Sequence, residues 1–337
     1  MSRDTNATRP SALDFVQALV SRLQEMSDDA ATSQIMAGAS VDIKVGLPGD
    51  QAGTTIQLSI NRQPQDGGLA SPAAVDEDAG LEFNAEGHHV IALIAARDLE
   101  ANAPDVMQTV QQMLDGGDRT IREAATFPDD IRQAQPETKP FHFVDIPFEE
   151  GGPATPLLPG PPHVLSAIDQ FTGRLRGGDG TAEGEVNALS WLIHLFGDLH
   201  QPLHCIERIS EFHPGGDAGG NSFRLRGPKR NLHSLWDSAV NVTADLTEEQ
   251  LCDDIMQEHP RQSLEKELRI GSREAWARTS HNLARRHAYA LRENPESPPR
   301  PSASYVANME KVGRRQAALG GYRLADHLAQ ILGSRRR

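Results

Sequence analysis

The chain has 337 residues, of which 47 are acidic and 33 are lysine or arginine, for a formal net charge of −14. A mean hydropathy of −0.49 is typical of a soluble globular protein, and no stretch reaches the roughly 18 apolar residues of a membrane span. The acidic balance argues against non-specific binding of duplex nucleic acid, unless bound cations supply the positive charge.

The first 80 residues predict an appendage and a linker. Residues 11–26 are amphipathic and predict a short helix, whereas residues 41–60 alternate apolar and polar side chains and predict a hairpin. Residues 63–80 are rich in Pro, Gly, Ala and Asp, as linkers are. Charged residues interrupt the apolar segment near the N-terminus, so it is not a secretory signal. The sequence alone therefore predicts a cytoplasmic protein.

From about residue 83 the apolar residues recur at helical spacing. Helices are predicted from Gly87, over 104–115, and over 163–175, 182–199, 231–240, 247–258, 272–292 and 303–332. No alternation of strands and helices and no internal repeat is visible, which argues against a parallel sheet. The region is expected to be mainly α-helical.

The most informative stretch ends the helix predicted at 182–199. It reads His194-Leu-Phe-Gly-Asp198-Leu-His-Gln-Pro-Leu-His204. On a helix His194 and Asp198 project from the same side, one turn apart. Pro202 disfavours helix at the preceding residue, so the chain can turn and bring His204 back toward the same space. Two imidazoles and a carboxylate at one point outline a metal site.

A second stretch, Asn231-Leu-His233-Ser-Leu-Trp-Asp237, repeats the spacing of a histidine, three residues and an aspartate. A lone histidine at the end of a buried helix is more often a hydrogen-bonded core residue than a ligand. The chain has only 13 histidines, however, and both pairs fall within about 45 residues. Metal binding is therefore the leading hypothesis.

These two stretches resemble the signature motifs of the S1/P1 nucleases, which are zinc-dependent single-strand nucleases of fungi, plants and some bacteria. Gly219-Gly-Asn221 before the second stretch is also similar, and weaker similarities begin at Val164, Trp276 and Gly321. They run in family order over residues 83–333. The resemblance implies a helical fold of the phospholipase C/single-strand nuclease type at 81–333, with three zinc ions in a cleft; residues 1–80 have no counterpart.

The resemblance also implies a ligand set. Asp129, His142, His194 and Asp198 would surround one ion, His204, His233 and Asp237 a second, and His88 with a bridging Asp198 the third. Imidazole and carboxylate suit zinc, and fewer than four protein ligands per ion leave room for water and phosphate. Asp129 and Asp198 are then catalytic, and Arg132 suits a phosphoryl oxygen. Without the family resemblance, Asp129 would be interpreted as a helix cap, His142 as a packed strand residue and Arg132 as a surface charge.

The implied activity is hydrolysis of single-stranded DNA and RNA to 5′-phosphorylated products, with 3′-nucleotidase activity, by a secreted or periplasmic enzyme. Two alternatives remain open. The bacterial zinc phospholipase C is similar in fold and trinuclear site, but it ends its second metal cluster with glutamate, where this chain has Asp237. The second alternative is a non-catalytic binding protein that works through residues 1–80 and has a structural zinc site.

The chain departs from the family at the third ion. Mature members begin with a tryptophan whose α-amino group and carbonyl ligate this zinc, whereas the corresponding Phe83 is internal here. The chain could be cleaved before Phe83, or a carboxylate such as Glu82 or Glu86 could rebuild the site, or the site could be weak. We expect two zinc ions to bind tightly and the third loosely.

Overall fold

The computed structural model describes residues 40–45, 54–59, 85–149, 152, 156–177, 181–242 and 246–333. The chain divides into two compact units, Met1–Ala73 and Ala74–Arg337. None of the helices in the described ranges is both long enough and apolar enough to cross a membrane.

In the first unit the described residues form an antiparallel hairpin of β1 (Ser40–Val45) and β2 (Thr54–Ser59). Its register pairs Val41 with Leu58 and Ile43 with Ile56. The hairpin predicted from period-two alternation is therefore present. The helix expected at 11–26 and the linker expected at 63–80 lie outside the described residues.

The second unit is mainly α-helical, which confirms the predicted fold class. Its helices are α1 (Ala85–Asn102), α2 (Pro104–Gly116), α3 (Ile121–Ile131), α4 (Val164–Gly177), α5 (Ala182–His200), α6 (Leu232–Asp237), α7 (Glu248–Glu258), α8 (Glu265–Leu268), α9 (Arg273–His287) and α10 (Ala303–Leu332). Short 3-10 helices lie at Pro136–His142, Pro202–Cys205, Arg261–Leu264 and Ala288–Ala290.

Helix α5 lies at the centre of this unit. Every residue from 188 to 200 is buried, and α1, α3, α4 and α10 all pack against it. A helix that is apolar around most of its circumference has to be surrounded in this way. The Thr181 hydroxyl accepts a hydrogen bond from the Gly184 amide (3.0 Å), as expected for the predicted N-cap. The helix that carries His194 and Asp198 is therefore held on all sides.

Helix α3 was not assigned from sequence. It begins with a capping box formed by Thr120 and Glu123, and it continues through Pro128. Proline lacks an amide hydrogen, so one intrahelical bond is missing, yet the helix runs on to Ile131. Asp129 therefore lies in the last turn of α3 and does not cap the start of a helix.

Two predicted helices are shorter than expected. The segment 231–240 is helical only over Leu232–Asp237. The segment 272–292 is helical over Arg273–His287 and then tightens into the 3-10 helix Ala288–Ala290. Apolar periodicity continues past both helix ends because 3-10 helices and turns can also bury every third or fourth side chain.

A small parallel pairing joins β3 (Pro147–Phe148) to β4 (Glu207–Arg208). The expectation that a parallel sheet is absent is wrong at this point, although each strand has only two residues. The Val144 amide also donates to the His204 carbonyl (2.8 Å). The pairing holds the segment after His142 beside the segment after His204.

Candidate metal centre

Eight ligand-type side chains meet in the second unit, and they are the eight predicted from the resemblance. They form three groups, and within each group the ligand atoms lie within 4.8 Å of one another. The groups are His88 with His194 and Asp198, Asp129 with His142 and His194, and His204 with His233 and Asp237. The first two groups share His194, and we call their five residues the Asp198 group. We call His204, His233 and Asp237 the Asp237 group.

The two carboxylate oxygens of Asp198 face different histidines. Oδ2 lies 3.1 Å from His142 Nδ1 and 3.1 Å from His194 Nε2. Oδ1 lies 3.5 Å from His88 Nε2 and 3.2 Å from His204 Nδ1. Asp198 is 1% exposed. This carboxylate therefore lies where it can bridge two cations.

Asp129 and Arg132 reach the Asp198 group from the end of α3. Asp129 Oδ1 lies 3.6 Å from His194 Nε2 and 3.7 Å from His142 Nδ1. Arg132 Nη1 lies 3.9 Å from the same oxygen, and its side chain is buried rather than a surface charge. The helix places a carboxylate and a guanidinium side by side next to the histidines.

In the Asp237 group, Asp237 Oδ1 lies 3.6 Å from His233 Nε2 and 3.9 Å from His204 Nε2. The Gln201 side-chain amide donates to the same oxygen (2.7 Å), and its carbonyl accepts from the Leu203 amide. Gln201 thus joins the segment of His204 to the carboxylate on α6. Sequence reasoning missed this role, for which the only signal was a polar residue inside the first motif.

Backbone carbonyls orient three of the imidazoles. Nδ1 of His194 donates to the Ala125 carbonyl (2.7 Å), Nδ1 of His204 to the His142 carbonyl (2.9 Å), and Nδ1 of His233 to the Gly219 carbonyl (2.8 Å). In the neutral imidazole, a hydrogen bond of this kind fixes the tautomer and leaves Nε2 as a lone-pair donor. In each case Nε2 faces the other ligand atoms.

The donor set fits zinc. Within the described part of the chain, Nε2 of His204 and His233 and Oδ1 of Asp129 and Asp198 are buried and accept no hydrogen bond. Buried polar atoms are rarely left so, because the loss of hydration is costly. Imidazole nitrogens and carboxylate oxygens at this spacing are the usual ligands of zinc.

Two glycines allow the close approach of these groups. A Cβ on Gly197 would lie 2.5 Å from His88 Nδ1, and the His88 ring stacks on that of His194 with centroids 3.9 Å apart. Gly219 has a φ of +58°, and a Cβ there would lie 2.6 Å from the Leu203 carbonyl. Larger residues at either position would displace a histidine or its supporting loop.

The surroundings shift the pKa values of Asp198 and Asp237 in opposite directions. Burial raises the pKa of Asp198, but the charge of His194 and the hydrogen bonds from His142 and His194 outweigh it and hold that pKa well below its usual range. Burial lowers the pKa of His194, yet Asp198 and Asp129 raise it to about 9. The pKa of Asp237, by contrast, is raised well above its usual range by burial.

Burial also lowers the pKa of His88, His204 and His233. These imidazoles are consequently neutral at neutral pH, which is the form that ligates a metal.

A model of the S1/P1 nuclease family matches residues 83–333, which include every residue of both groups. The chain belongs to the S1/P1 nuclease family. Family membership supports a hydrolase that acts on phosphodiester bonds. Residues 1–82 lie outside the matched region.

Similar curated proteins are nucleases as well. Endonuclease 1 of Arabidopsis thaliana is 29% identical over 222 residues, which cover 62% of this chain and 70% of that protein. Nuclease S1 of Aspergillus oryzae is 30% identical over 162 residues, which cover 45% and 52%. Endonuclease 4 of Arabidopsis thaliana is 25% identical over 287 residues, which cover 77% and 92%. The chain thus spans about half the length of nuclease S1.

The sequence predicts that a third zinc site, if rebuilt in this S1/P1 family member, would use a carboxylate such as Glu82 or Glu86. Glu82 and Phe83 lie outside the described residues. The Glu86 carboxylate accepts a hydrogen bond from the Asn241 side-chain amide (2.8 Å) and belongs to none of the three groups found in the described ranges. The position of Glu86 therefore does not support a rebuilt site that uses this residue.

Proposed function

We propose that this chain is a zinc-dependent endonuclease that cleaves single-stranded DNA and RNA to 5′-phosphorylated products and removes phosphate from 3′-nucleotides. The supporting observation is that eight ligand-type residues from six separated segments, seven of them buried and Asp129 partly buried, converge within a chain of this nuclease family. A structural zinc site would need four ligands around a single ion. Here His204, His233 and Asp237 offer a second ion only three protein ligands, which leaves a position for water or phosphate and suits catalysis.

Zinc would be held by the Asp198 group and by the Asp237 group. When bound there, it supplies a Lewis acid for phosphoryl oxygens and a water of lowered pKa. Asp198 Oδ2 lies beside His142 and His194, and Oδ1 lies beside His88, so its two oxygens could serve the first ion and the third. Asp129 supplies a second carboxylate to the Asp198 group.

Arg132 has a distinct role in this proposal. Its guanidinium lies beside Asp129, 3.9 Å from a carboxylate oxygen. A guanidinium offers several donors in one plane, so it can bind a phosphoryl oxygen and orient the phosphate toward the ligand groups. Its burial strengthens the interaction, because nearby bulk water is excluded.

The number of zinc ions is part of the proposal. We expect two zinc ions to bind tightly, and the third, around His88 and Asp198, to bind loosely because Phe83 is internal. Activity should therefore rise when zinc is added to purified protein. Three tightly bound zinc ions in an uncleaved chain would contradict this expectation.

The direct test combines metal analysis with a panel of substrates. Purified protein is assayed for zinc content and for hydrolysis of single-stranded DNA, RNA, duplex DNA, a 3′-nucleotide and phosphatidylcholine. We expect zinc, cleavage of both single strands with 5′-phosphate ends, and slower cleavage of duplex DNA. Hydrolysis of phosphatidylcholine alone would indicate a phospholipase, and zinc without hydrolysis of any substrate would indicate a binding protein.

A further inference from the structure

A short basic segment lies next to the candidate metal centre. Residues 224–230, which we call the basic loop, contain Arg224, Arg226, Lys229 and Arg230, and all four side chains are exposed. No acidic residue occurs between Asp217 and Asp237. In a chain of net charge −14, this concentration of positive charge is opposite to the overall balance.

The basic loop is held in place by its main chain. Arg224 and Asn231 form an antiparallel bridge, and the Leu225 amide donates to the Arg230 carbonyl (2.7 Å). The Arg226 amide donates to the Pro299 carbonyl (2.9 Å). Leu225 is buried whereas its neighbours in sequence are exposed. Alternation along an extended segment therefore turns the arginines outward.

No described carboxylate neutralises the four basic side chains. Across the described ranges, none of them takes part in an ion pair, whereas many other arginines are paired with carboxylates. Their charge is therefore available to an anionic partner.

The basic loop leads directly into the Asp237 group. Asn231, the next residue, caps α6 by accepting a hydrogen bond from the Ser234 amide (2.7 Å). His233 and Asp237 lie on that helix.

We propose that the basic loop binds the phosphates of a single-stranded nucleic acid on one side of the bond that is cleaved. This inference rests on the proposed nuclease function and adds a binding surface outside the metal centre. Arginine and lysine bind phosphates without regard to base sequence, so the loop would contribute affinity rather than sequence preference. A mononucleotide has a single phosphate, and the metal centre would take it.

The test compares two variants with the same change in charge. The loop variant combines Arg224→Gln, Arg226→Gln, Lys229→Gln and Arg230→Gln. The control variant combines Arg174→Gln, Arg176→Gln, Lys266→Gln and Arg269→Gln, four exposed residues of the same types on other elements. Circular dichroism and zinc content establish that both retain the fold. If the loop variant does not fold, the double variant Arg226→Gln/Lys229→Gln takes its place.

Binding is measured with zinc-loaded protein and a labelled phosphorothioate oligonucleotide of a dozen nucleotides, whose integrity is checked on a gel. For single strands, the slope of log K against log salt changes by about 0.7 for each phosphate contact. We expect the loop variant to have a shallower slope and an affinity roughly tenfold lower or more at low salt. The control variant should behave like the wild type. Equal slopes in the two variants would overturn the proposal.

Kinetics separate this inference from the proposed function. The loop variant should have a higher KM for the corresponding cleavable oligonucleotide, with little change in kcat and with unchanged hydrolysis of a dinucleotide. An equal loss for both substrates would mean that the loop only supports α6, and it would overturn the proposal. A wild-type protein without nuclease activity would refute the proposed function, while the salt dependence of binding would still report on the loop.

Discussion

The two ligand groups of the metal centre are held in different ways. Three long helices carry most of the Asp198 group: α1 has 18 residues, α3 has 11 and α5 has 19. The Asp237 group lies on a 3-10 helix of four residues and on α6, which has six. Short elements have little stability of their own. The positions of His204, His233 and Asp237 must therefore be fixed by other interactions.

Hydrogen bonds from the surrounding chain fix the Asp237 group. Gln201 contacts the Asp237 carboxylate, and the Gly219 carbonyl orients His233. The loop that carries Gly219 is itself held by Asp217, which is fully buried and accepts hydrogen bonds from the Tyr289 hydroxyl (2.8 Å) and the Gly220 amide (3.1 Å). We infer that helix packing preorganises the Asp198 group, whereas the Asp237 group depends on a hydrogen-bond network and on bound metal.

The largest expected effect comes from Asp198→Asn. The amide keeps the shape of the side chain, but it cannot bind two cations through two anionic oxygens. We expect kcat/KM on single-stranded DNA to fall by more than the roughly 100-fold typical for an outer-shell partner. Asp237→Asn is the matched control, and it should remove one zinc while leaving the Asp198 group loaded. Near wild-type cleavage by Asp198→Asn would refute the bridging role.

Removal of zinc tests whether the Asp237 group depends on bound metal more strongly than the Asp198 group does. A metal present at about 1,000 times its Kd stabilises the folded state by about 4 kcal/mol, and chelation should lower the Tm by roughly 10 °C. Hydrogen exchange of apo and loaded protein locates the change. We expect the amides of α6 and of Pro202–Cys205 to lose protection, and those of α5 to lose little. Uniform loss across both groups would contradict the comparison.

Gln201→Met tests the hydrogen-bond network directly. Methionine has a similar volume, but it cannot donate to Asp237 or accept from Leu203. We expect the affinity of one zinc to fall by about 10-fold to 100-fold in competition with a chromophoric chelator, while the other sites are unchanged. Gln316→Met is the control, because Gln316 is also buried but bonds to the His200 carbonyl and Ser280 instead. Equal zinc affinities in the two variants would rule out this role of Gln201.

The difference between the two ligand groups also explains which features could be predicted from the sequence alone. Helix α5 was predictable because it is apolar around most of its circumference and begins at a good N-cap. Because His194 and Asp198 are four residues apart on that helix, their projection from the same side could be predicted. Pro202 predicted that the chain turns after α5 and brings His204 back toward these two side chains. Each of these inferences uses residues that are close in sequence.

Contacts between distant residues were not predictable in this way. Gln201 and Asp237 are 36 residues apart, and Asp217 and Tyr289 are 72 apart. No periodicity links such pairs. Helix α3 was missed because Pro128 indicates a helix break, although packing against α1 and α5 retains the helix. The inclusion of Asp129 and His142 in the ligand set came from the family resemblance alone.

The smallest expected effect concerns the loop that supports His233. Glu207 Oε1 accepts a hydrogen bond from the Ala218 amide (3.0 Å), and a Cβ on Gly216, whose φ is +101°, would collide with this carboxylate. Burial, together with the charges of Asp145 and Asp217, raises the pKa of Glu207 from 4.5 to about 7. The folded state therefore binds this proton more tightly than the unfolded state does.

Glu207 should consequently make the stability of the protein depend on pH. Its contribution is fully present below about pH 4.5 and is lost as the pH rises through about 7, because the carboxylate then ionises in a half-buried site. Glu207→Gln removes this contribution, so the difference in Tm between wild type and variant should change across that window. We expect a change of roughly 3 °C or less, since solvent screens a half-buried group. The exposed Glu211→Gln is the control for the loss of a charge, and a pH-independent difference for Glu207→Gln would show that this carboxylate does not titrate as the structure indicates.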